Sequence, residues 1–341
     1  MVKCSCPVEP WRQIMKCLCC GKELNREDVQ ELVSGWHLRC IRKFFQTSAM
    51  PKIYITDEEL EKLAEETVAH GFTVTGVQKK LSLHLSQNDE KKLTIVDFPS
   101  GYILKPQTKS FSHLPEAEAL VMNIADLAGI KTAPHALIRL NSSSGSSYAY
   151  ITKRMDRTIS YKKGTVSQVG LYAMEDFCQL SFRLTEDKYK GSYERVAGII
   201  RKYSEKKMLD LSELYLRLLV CFITGNSDMH LKNFSLIESE PASRQFSLSP
   251  AYDLLPVNLV MPEDKEETAL TLNGKKRNLR KKDFFAFADS AGLSQKVAIK
   301  MMQSIISKDE SFIRLVDESL LQDDMKYSMK ELIRSRIDRL S

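Results

Sequence analysis

The run Leu211-Ser-Glu-Leu-Tyr-Leu-Arg-Leu-Leu-Val-Cys-Phe-Ile-Thr-Gly225, followed at once by Asp228-Met-His-Leu-Lys-Asn233, narrows the fold of this chain more than any other stretch. Apolar residues recur at helical intervals through the run, with Ser212 as candidate N-cap and Gly225 as stop. A buried helix that ends this way presents the following loop at a fixed place. The loop sets a carboxylate and a carboxamide five positions apart. Phosphoryl-transfer sites use that spacing for a base that accepts the acceptor hydroxyl proton and an Asn that ligates magnesium. Asp228 is the candidate base and Asn233 the candidate ligand. Taken alone, the same pattern also describes an Asn/Asp-rich turn that caps the next element.

Twenty residues beyond Asn233 comes a second acid, in Leu248-Ser-Pro-Ala-Tyr-Asp253-Leu-Leu-Pro256. Asn233 to Ile237 reads as a short buried strand, and a hairpin there brings Asp253 beside Asn233. One carboxylate and one amide oxygen, completed by phosphate oxygens and water, suit magnesium, a hard ion seldom caged by protein alone. The plainer role for Asp253 is a turn cap. Upstream, Gly101-Tyr-Ile-Leu-Lys105 ends an apolar strand in a lysine, and Leu114 to Gly129 begins an amphipathic helix with Pro115 in its first turn. Strand lysine followed by helix glutamate is the pair that grips nucleotide phosphates, with Glu118 preferred to Glu116 as the partner.

His70-Gly-Phe-Thr73-Val-Thr75-Gly76-Val77-Gln-Lys79-Lys80-Leu reads as a small-residue loop feeding an alternating strand. Backbone amides of such loops can cradle phosphate, and a phosphorylated Thr73 or Thr75 would repel nucleotide. By itself the segment is an ordinary hairpin turn.

Together, Thr-Val-Thr-Gly-Val-Gln-Lys-Lys-Leu-Ser-Leu, Tyr-Ile-Leu-Lys-Pro, Leu-Pro-Glu-Ala-Glu, Lys-Arg-Met-Asp-Arg, Gly-Asn-Ser-Asp-Met-His-Leu-Lys-Asn-Phe and Leu-Ser-Pro-Ala-Tyr-Asp-Leu-Leu closely resemble the HipA family of toxin kinases, over roughly residues 70 to 335. The resemblance is greatest to the short HipT type, because few residues precede the Gly-containing loop and the loop reads hydroxyl-x-hydroxyl-Gly. It implies an α+β, two-lobed protein-kinase-like fold with a β-rich N-lobe and a mainly helical C-lobe. It further implies ATP and magnesium, a serine/threonine protein kinase activity toward an aminoacyl-tRNA synthetase, and growth arrest. Autophosphorylation falls on Thr73 and Thr75, which stand where the family carries serines, with Gly76, Val77 and Lys79 among the nucleotide-binding residues. The adenine-side hinge falls on Lys153, Arg154 and Met155, where the family has Glu-Arg-Phe; hinge recognition runs through backbone groups, so this departure leaves nucleotide binding intact. A HipB-like DNA-binding antitoxin and a HipS-like small protein are the implied partners.

The N-terminal segment is a different kind of sequence. Cys17-Leu-Cys-Cys20 followed by Trp36-His37-Leu-Arg-Cys40 gives C-x-x-C and H-x-x-C, and four such donors at that spacing can close a tetrahedral zinc site. The alternative is a set of reduced cysteines around a helical hairpin. Cys4, Cys6 and Cys19 compete as ligands. A closed site of this type orders a module and leaves no open position for catalysis.

The chain divides at this level into a Cys/His segment (1–48), an N-lobe (49–158) and a C-lobe (159–341). The acidic, helix-like Thr56 to Glu66 leads into the N-lobe, and Asn141 to Ser147 forms a turn between strands. From about Ser160 the pattern is helical, broken by short strands around Asn233 to Ser247, and the tail from Leu293 to Leu340 holds several amphipathic helices. At 341 residues and 43% hydrophobic content the chain can bury a large core. No apolar run has the length of a membrane span, and the first residues lack a secretory signal, so a cytosolic location is expected. Eight cysteines, six of them within the first forty residues, suit metal spacing in a reducing compartment better than a disulfide framework.

The net charge is +6, and Lys275-Lys-Arg-Asn-Leu-Arg-Lys-Lys282 is its densest run, either a solvated loop or a contact for an acidic partner. No helix-turn-helix signature marks the chain itself as a sequence-specific DNA reader. Within the catalytic loop, His230 is expected to brace the loop by hydrogen bonds. Lys232 is a candidate for steadying the transferred phosphoryl group. A pseudokinase that sequesters partners and a small-molecule kinase of related fold are the competing readings, and the Lys, Asp, Asn and Asp set argues against the first.

Overall fold

The computed structural model describes residues 15–53, 80–86, 92–95, 100–142, 145–162 and 165–341. Thr73, Thr75, Gly76, Val77, Lys79, the acidic stretch 56–66, Cys4 and Cys6 lie outside them.

A six-stranded sheet forms the first half. Its strands are β1 (Lys52–Ile53), β2 (Leu81–Ser86), β3 (Lys92–Ile95), β4 (Tyr102–Pro106), β5 (His135–Ser142) and β6 (Gly145–Lys153), in the order β1-β3-β2-β4-β6-β5. Among the described strands of this sheet, β1 and β3 pair in parallel and the other neighbours antiparallel. Leu81, Leu83 and Leu85 of β2 are buried at alternate positions, which directs the residues between them to the other face. Leu81 sits opposite Leu104 of β4, so Lys80 and Lys105, one step from each, share that second face.

Each face has its own cover. Leu83, Leu104, Ile138, Ala149 and Ile151 join Trp36, Phe44 and Phe45 in one apolar cluster, supplied by the N-terminal helices α1 (Val29–Ser34) and α2 (Leu38–Phe45). Leu137 and Tyr150 join the opposite cluster, with the buried helix α3 (Leu114–Ala128) and the helical half of the chain. Pro115 occupies the first turn of α3, and Gly129 ends it in the left-handed region at φ +96°, as the sequence predicts.

The second half is built on α4 (Tyr193–Tyr203) and α5 (Lys207–Ile223), followed by α6 (Lys281–Ser290), α7 (Gln295–Ile306), α8 (Asp309–Glu318) and α9 (Asp323–Asp338). Helix α5 begins four residues before the expected start at Leu211. Asp210, in its first turn, accepts hydrogen bonds from Ser204 Oγ at 2.5 Å and Leu248 N–H at 2.7 Å, placing a negative charge where the helix dipole favours it. Ser212 is therefore interior, and its hydroxyl bonds the carbonyl of Met208. Two further corrections concern strands. The pair β7 (Arg157–Lys162) and β8 (Thr165–Leu171) and the short β9 (Met174–Asp176) extend β structure past Ser160. With Thr158, Ser160, Ser167 and Gln168 exposed, β7 and β8 bury no continuous apolar stripe, so helical periodicity elsewhere overshadows them. The expected hairpin after the catalytic loop is present as β10 (Ser235–Glu238) and β11 (Phe246–Leu248), with β9 on its other side.

Candidate active site

Lys105 is the centre of the charged cluster. It is 2% exposed, points from β4 toward α3, and its ammonium bonds both Glu118 and Asp253, the latter at 2.5 Å. Lys80 takes the other oxygen of Asp253, also at 2.5 Å. Of the two candidate glutamates, Glu118 is the one that reaches Lys105; Glu116 instead pairs with His113 at 3.2 Å. Burial opposes the charge on Lys105, but the carboxylates of Asp253 and Glu118 outweigh it and hold the ammonium above its ordinary value. Burial likewise acts against the Asp253 carboxylate, yet Lys105 and Lys80 keep it ionised far below the usual carboxylate range. Glu118 moves the other way: burial, helped by repulsion from Asp253, raises it against the pull of Lys105. Asp253 adopts φ +55°, a left-handed conformation that Asp tolerates at a cost of about 1 kcal/mol.

The catalytic-type loop follows α5 through Gly225, at φ +70°. The left-handed φ favours glycine, and a Cβ there would also press on Leu332 Cδ2 at 2.7 Å, which would have to shift. Asp228 is buried, its backbone N–H bonds Asn226 Oδ1 at 3.1 Å, and its carbonyl accepts from His230 N–H at 2.8 Å and Asn233 Nδ2 at 3.0 Å. Asn233 thus spends its amide nitrogen inside the loop, leaving Oδ1 available as a ligand. The next segment is tied back by Tyr252, whose hydroxyl donates to the carbonyl of Lys232 at 3.0 Å. Two side chains are placed otherwise than the sequence suggests. Among the described residues neither ring nitrogen of His230 has a hydrogen-bond partner. The ring instead packs edge-on against Tyr189 at 5.0 Å, and burial, reinforced by Lys188, pushes its pKa down to about 3. Lys232 is held by Asp176 at 2.7 Å, which draws its ammonium toward β9.

Lys153 lies on the module side of the sheet: its ammonium donates to the Lys43 carbonyl at 3.3 Å and sits 5.4 Å from the centre of the Phe44 ring. Arg154 forms a forked pair with Asp156, while its backbone N–H bonds Gly101, so this stretch is fixed by its main chain; Met155 follows in the same bend.

Cys17, Cys20, His37 and Cys40 come together with their ligand atoms all within 4.8 Å of one another. His37 Nδ1 faces Cys20 Sγ at 3.4 Å and Cys40 Sγ at 3.9 Å, while Nε2 donates to the Glu23 carbonyl at 2.8 Å. That outer bond fixes the tautomer and turns Nδ1 inward, the arrangement of a metal-ligating histidine. Three thiols and one imidazole at this spacing fit zinc. Cys19 stays outside the group, and burial pushes its thiol up to about 12. A cavity of about 670 Å³ lies between α1, α2 and the sheet edge, and Lys105 does not line it.

Two residues at the charged site escape the sequence reading. Lys80, next to the expected Lys79, was signalled by the β2 alternation that puts it on the Lys105 face. Tyr189 bonds Asp228 from a segment with no motif of its own.

The profile of the HipA-like C-terminal domain matches residues 72–311. This chain belongs to that family. Among relatives of this HipA-like chain, the provisionally named kinase Y4dM of Sinorhizobium fredii is 32% identical over 74% of the chain and 61% of its own length. A provisionally named kinase of Haemophilus influenzae is 24% identical over 74% of the chain and 76% of that protein. The HipA-like chain thus spans about three fifths of the first of these relatives. Among solved structures, a chain of the Shewanella oneidensis toxin-antitoxin complex of HipA, HipB and operator DNA aligns with TM-score 0.67 and 20% identity, over 84% of this chain and 71% of that one. The Helicobacter pylori proinflammatory kinase CtkA aligns with TM-score 0.51 and 15% identity, over 73% and 88%. These two likenesses establish the two-lobed, kinase-like α+β fold. Among the described residues no helix is long and apolar enough to cross a membrane.

Proposed function

We propose that this HipA-like chain is a magnesium- and ATP-dependent serine/threonine protein kinase. The observation that carries the reading is the meeting of Lys105, Glu118 and Asp253, drawn from three separate elements, close to a catalytic-type loop. Lys105 binds the phosphates of ATP and Glu118 orients it. Asp253 and Asn233 hold magnesium, and the lysine ammoniums now on Asp253 mark it as a carboxylate built to receive positive charge. Asp228 takes the proton from the acceptor hydroxyl. Lys153, Arg154 and Met155 line the adenine side through their backbone. Lys232, drawn to Asp176, reaches the transferred group only by leaving that partner.

The finer reading follows the family resemblance. It is a HipT-like toxin acting in the cytosol, modifying an aminoacyl-tRNA synthetase, autophosphorylated at Thr73 or Thr75, and accompanied by HipB-like and HipS-like partners. Residues 1–48 form a zinc-ordered module held by Cys17, Cys20, His37 and Cys40, residues 49–158 the N-lobe, and residues 159–341 the C-lobe. The deciding experiment incubates the purified protein with labelled ATP, magnesium and a candidate synthetase. Transfer is expected from the wild type and a loss of about a hundredfold or more from Asp228→Ala. Equal labelling by the two proteins removes Asp228 from its role. Magnesium-dependent nucleotide binding without transfer by either favours the pseudokinase.

A further inference from the structure

The acceptor position at Asp228 is already filled by a hydroxyl of this chain. Tyr189 Oη donates to Asp228 Oδ1 at 2.5 Å, the separation at which a general base meets the proton it removes. Tyr189 stands on a half-exposed turn between the one-turn helix Thr185–Asp187 and α4. Leu231 N–H bonds the carbonyl of Lys188 at 3.2 Å, so the turn lies against the catalytic loop. The Asp228 backbone is fixed within its own loop by Asn226, His230 and Asn233. A hydroxyl donated to a carboxylate that is already in place competes with the acceptor for the same oxygen and lowers the basicity of the carboxylate.

We infer that Tyr189 is an acceptor gate: its phenol occupies the place of the incoming hydroxyl and must swing away before transfer. The inference rests on the kinase reading of this site. Removing the phenolic oxygen takes this competing donor off Asp228 Oδ1, where water or a small acceptor can take its place. For water, its oxygen bonds to the γ-phosphorus, its proton passes to Asp228, and the bridging oxygen leaves with ADP. Phenylalanine keeps the ring on His230, so the packing at 5.0 Å is retained.

The test compares wild type, Tyr189→Phe, Tyr189→Leu and the double variant Tyr189→Phe/Asp228→Asn. It reads magnesium-dependent ATP hydrolysis, phosphorylation of dephosphorylated casein, and the ATP dissociation constant. Tyr189→Phe is expected to raise both rates several-fold to roughly tenfold, the worth of a hydrogen bond to a charged group, with ATP affinity unchanged. Tyr189→Leu serves if the phenylalanine protein melts early, and the double variant should lose the gain because it runs through the base. An active wild type that matches or outpaces Tyr189→Phe overturns the gate alone. No turnover by any of the proteins despite nucleotide binding overturns the kinase reading and the gate with it.

Discussion

Leu104 and Lys105 are neighbours in one strand, yet they face two regions assembled on opposite principles. On the Lys105 side two ammoniums and two carboxylates converge, so the charge closes within the chain. On the Leu104 side Trp36, Phe44, Phe45 and Tyr102 pack edge-on or tilted at centroid separations of 4.9 to 5.9 Å, and the polar group behind them is a cluster of three thiols and an imidazole. No ammonium or guanidinium of the described residues pairs with that cluster. Burial drives the Cys17 and Cys40 thiols up, and Cys20 alone is brought below its ordinary value, by hydrogen bonds from Lys22, Cys40 and His37 that outweigh burial. One region thus carries its own counter-ions, while the donors of the other match a cation from outside. On the proposed kinase reading, Asp253 gives up its lysines for magnesium while Lys105 turns to the phosphates. The second is suited to hold its ion permanently.

The largest effect expected from this contrast is metal removal. Structural zinc contributes on the order of 10 kcal/mol in small domains, so stripping it should lower the melting temperature by about 10 °C or more and loosen the aromatic clamp on β4 and β5. A native protein without bound zinc, and with one melting curve whether or not a chelator is present, breaks the comparison. Lys105→Met comes next. It leaves Glu118 buried opposite Asp253 with a cation gone, at a cost of about 3–5 kcal/mol. Adding Glu118→Gln should recover part of that loss in chemical denaturation. If the double variant is no more stable than the single one, the charges are not compensating each other.

A third effect, on the catalytic side, is read from pH. His230 is buried and neutral, with its pKa lowered to about 3 from an ordinary value of 6.5. Its contribution is complete above the unfolded value and is lost as the pH falls toward the folded one. Acidification from pH 6.5 to pH 5 should therefore cost about 2 kcal/mol, and His230→Phe should remove that slope. An unchanged slope in the variant would place the titrating group elsewhere.

How legible each region was depends on how local its signal is. The Lys105, Asp228, Asn233 and Asp253 positions each lie in a short pattern tied to one element, and Glu118 over Glu116 follows from which turn of α3 faces the sheet. Cys17, Cys20, His37 and Cys40 were legible because ligand spacing is written along the chain. Tyr189 was not, since its contact with Asp228 spans 39 residues and depends on how the turn before α4 lies against the loop. The packing of His230 on Tyr189 and the Lys232–Asp176 pair were hidden for the same reason: a loop motif states which residues are present, and packing from β9 and the Tyr189 turn decides what they touch.

The smallest expected effect tests whether the two faces of the sheet are independent. Trp36 is fully buried and its indole N–H donates to the Leu137 carbonyl at 3.0 Å, while Leu137 N–H donates to the Leu18 carbonyl at 3.0 Å. The N-terminal segment therefore uses both backbone groups of one residue of the edge strand β5. Trp36→Phe keeps much of the ring contact but leaves that carbonyl without its donor, a loss of about 1–2 kcal/mol. The denaturation midpoint should fall with an unchanged slope, and nucleotide affinity at Lys105 should stay as it was. A fall in ATP affinity of tenfold or more would mean that β5 transmits the docking of the module through β6 to β4, and the two faces would then have to be treated as one coupled unit.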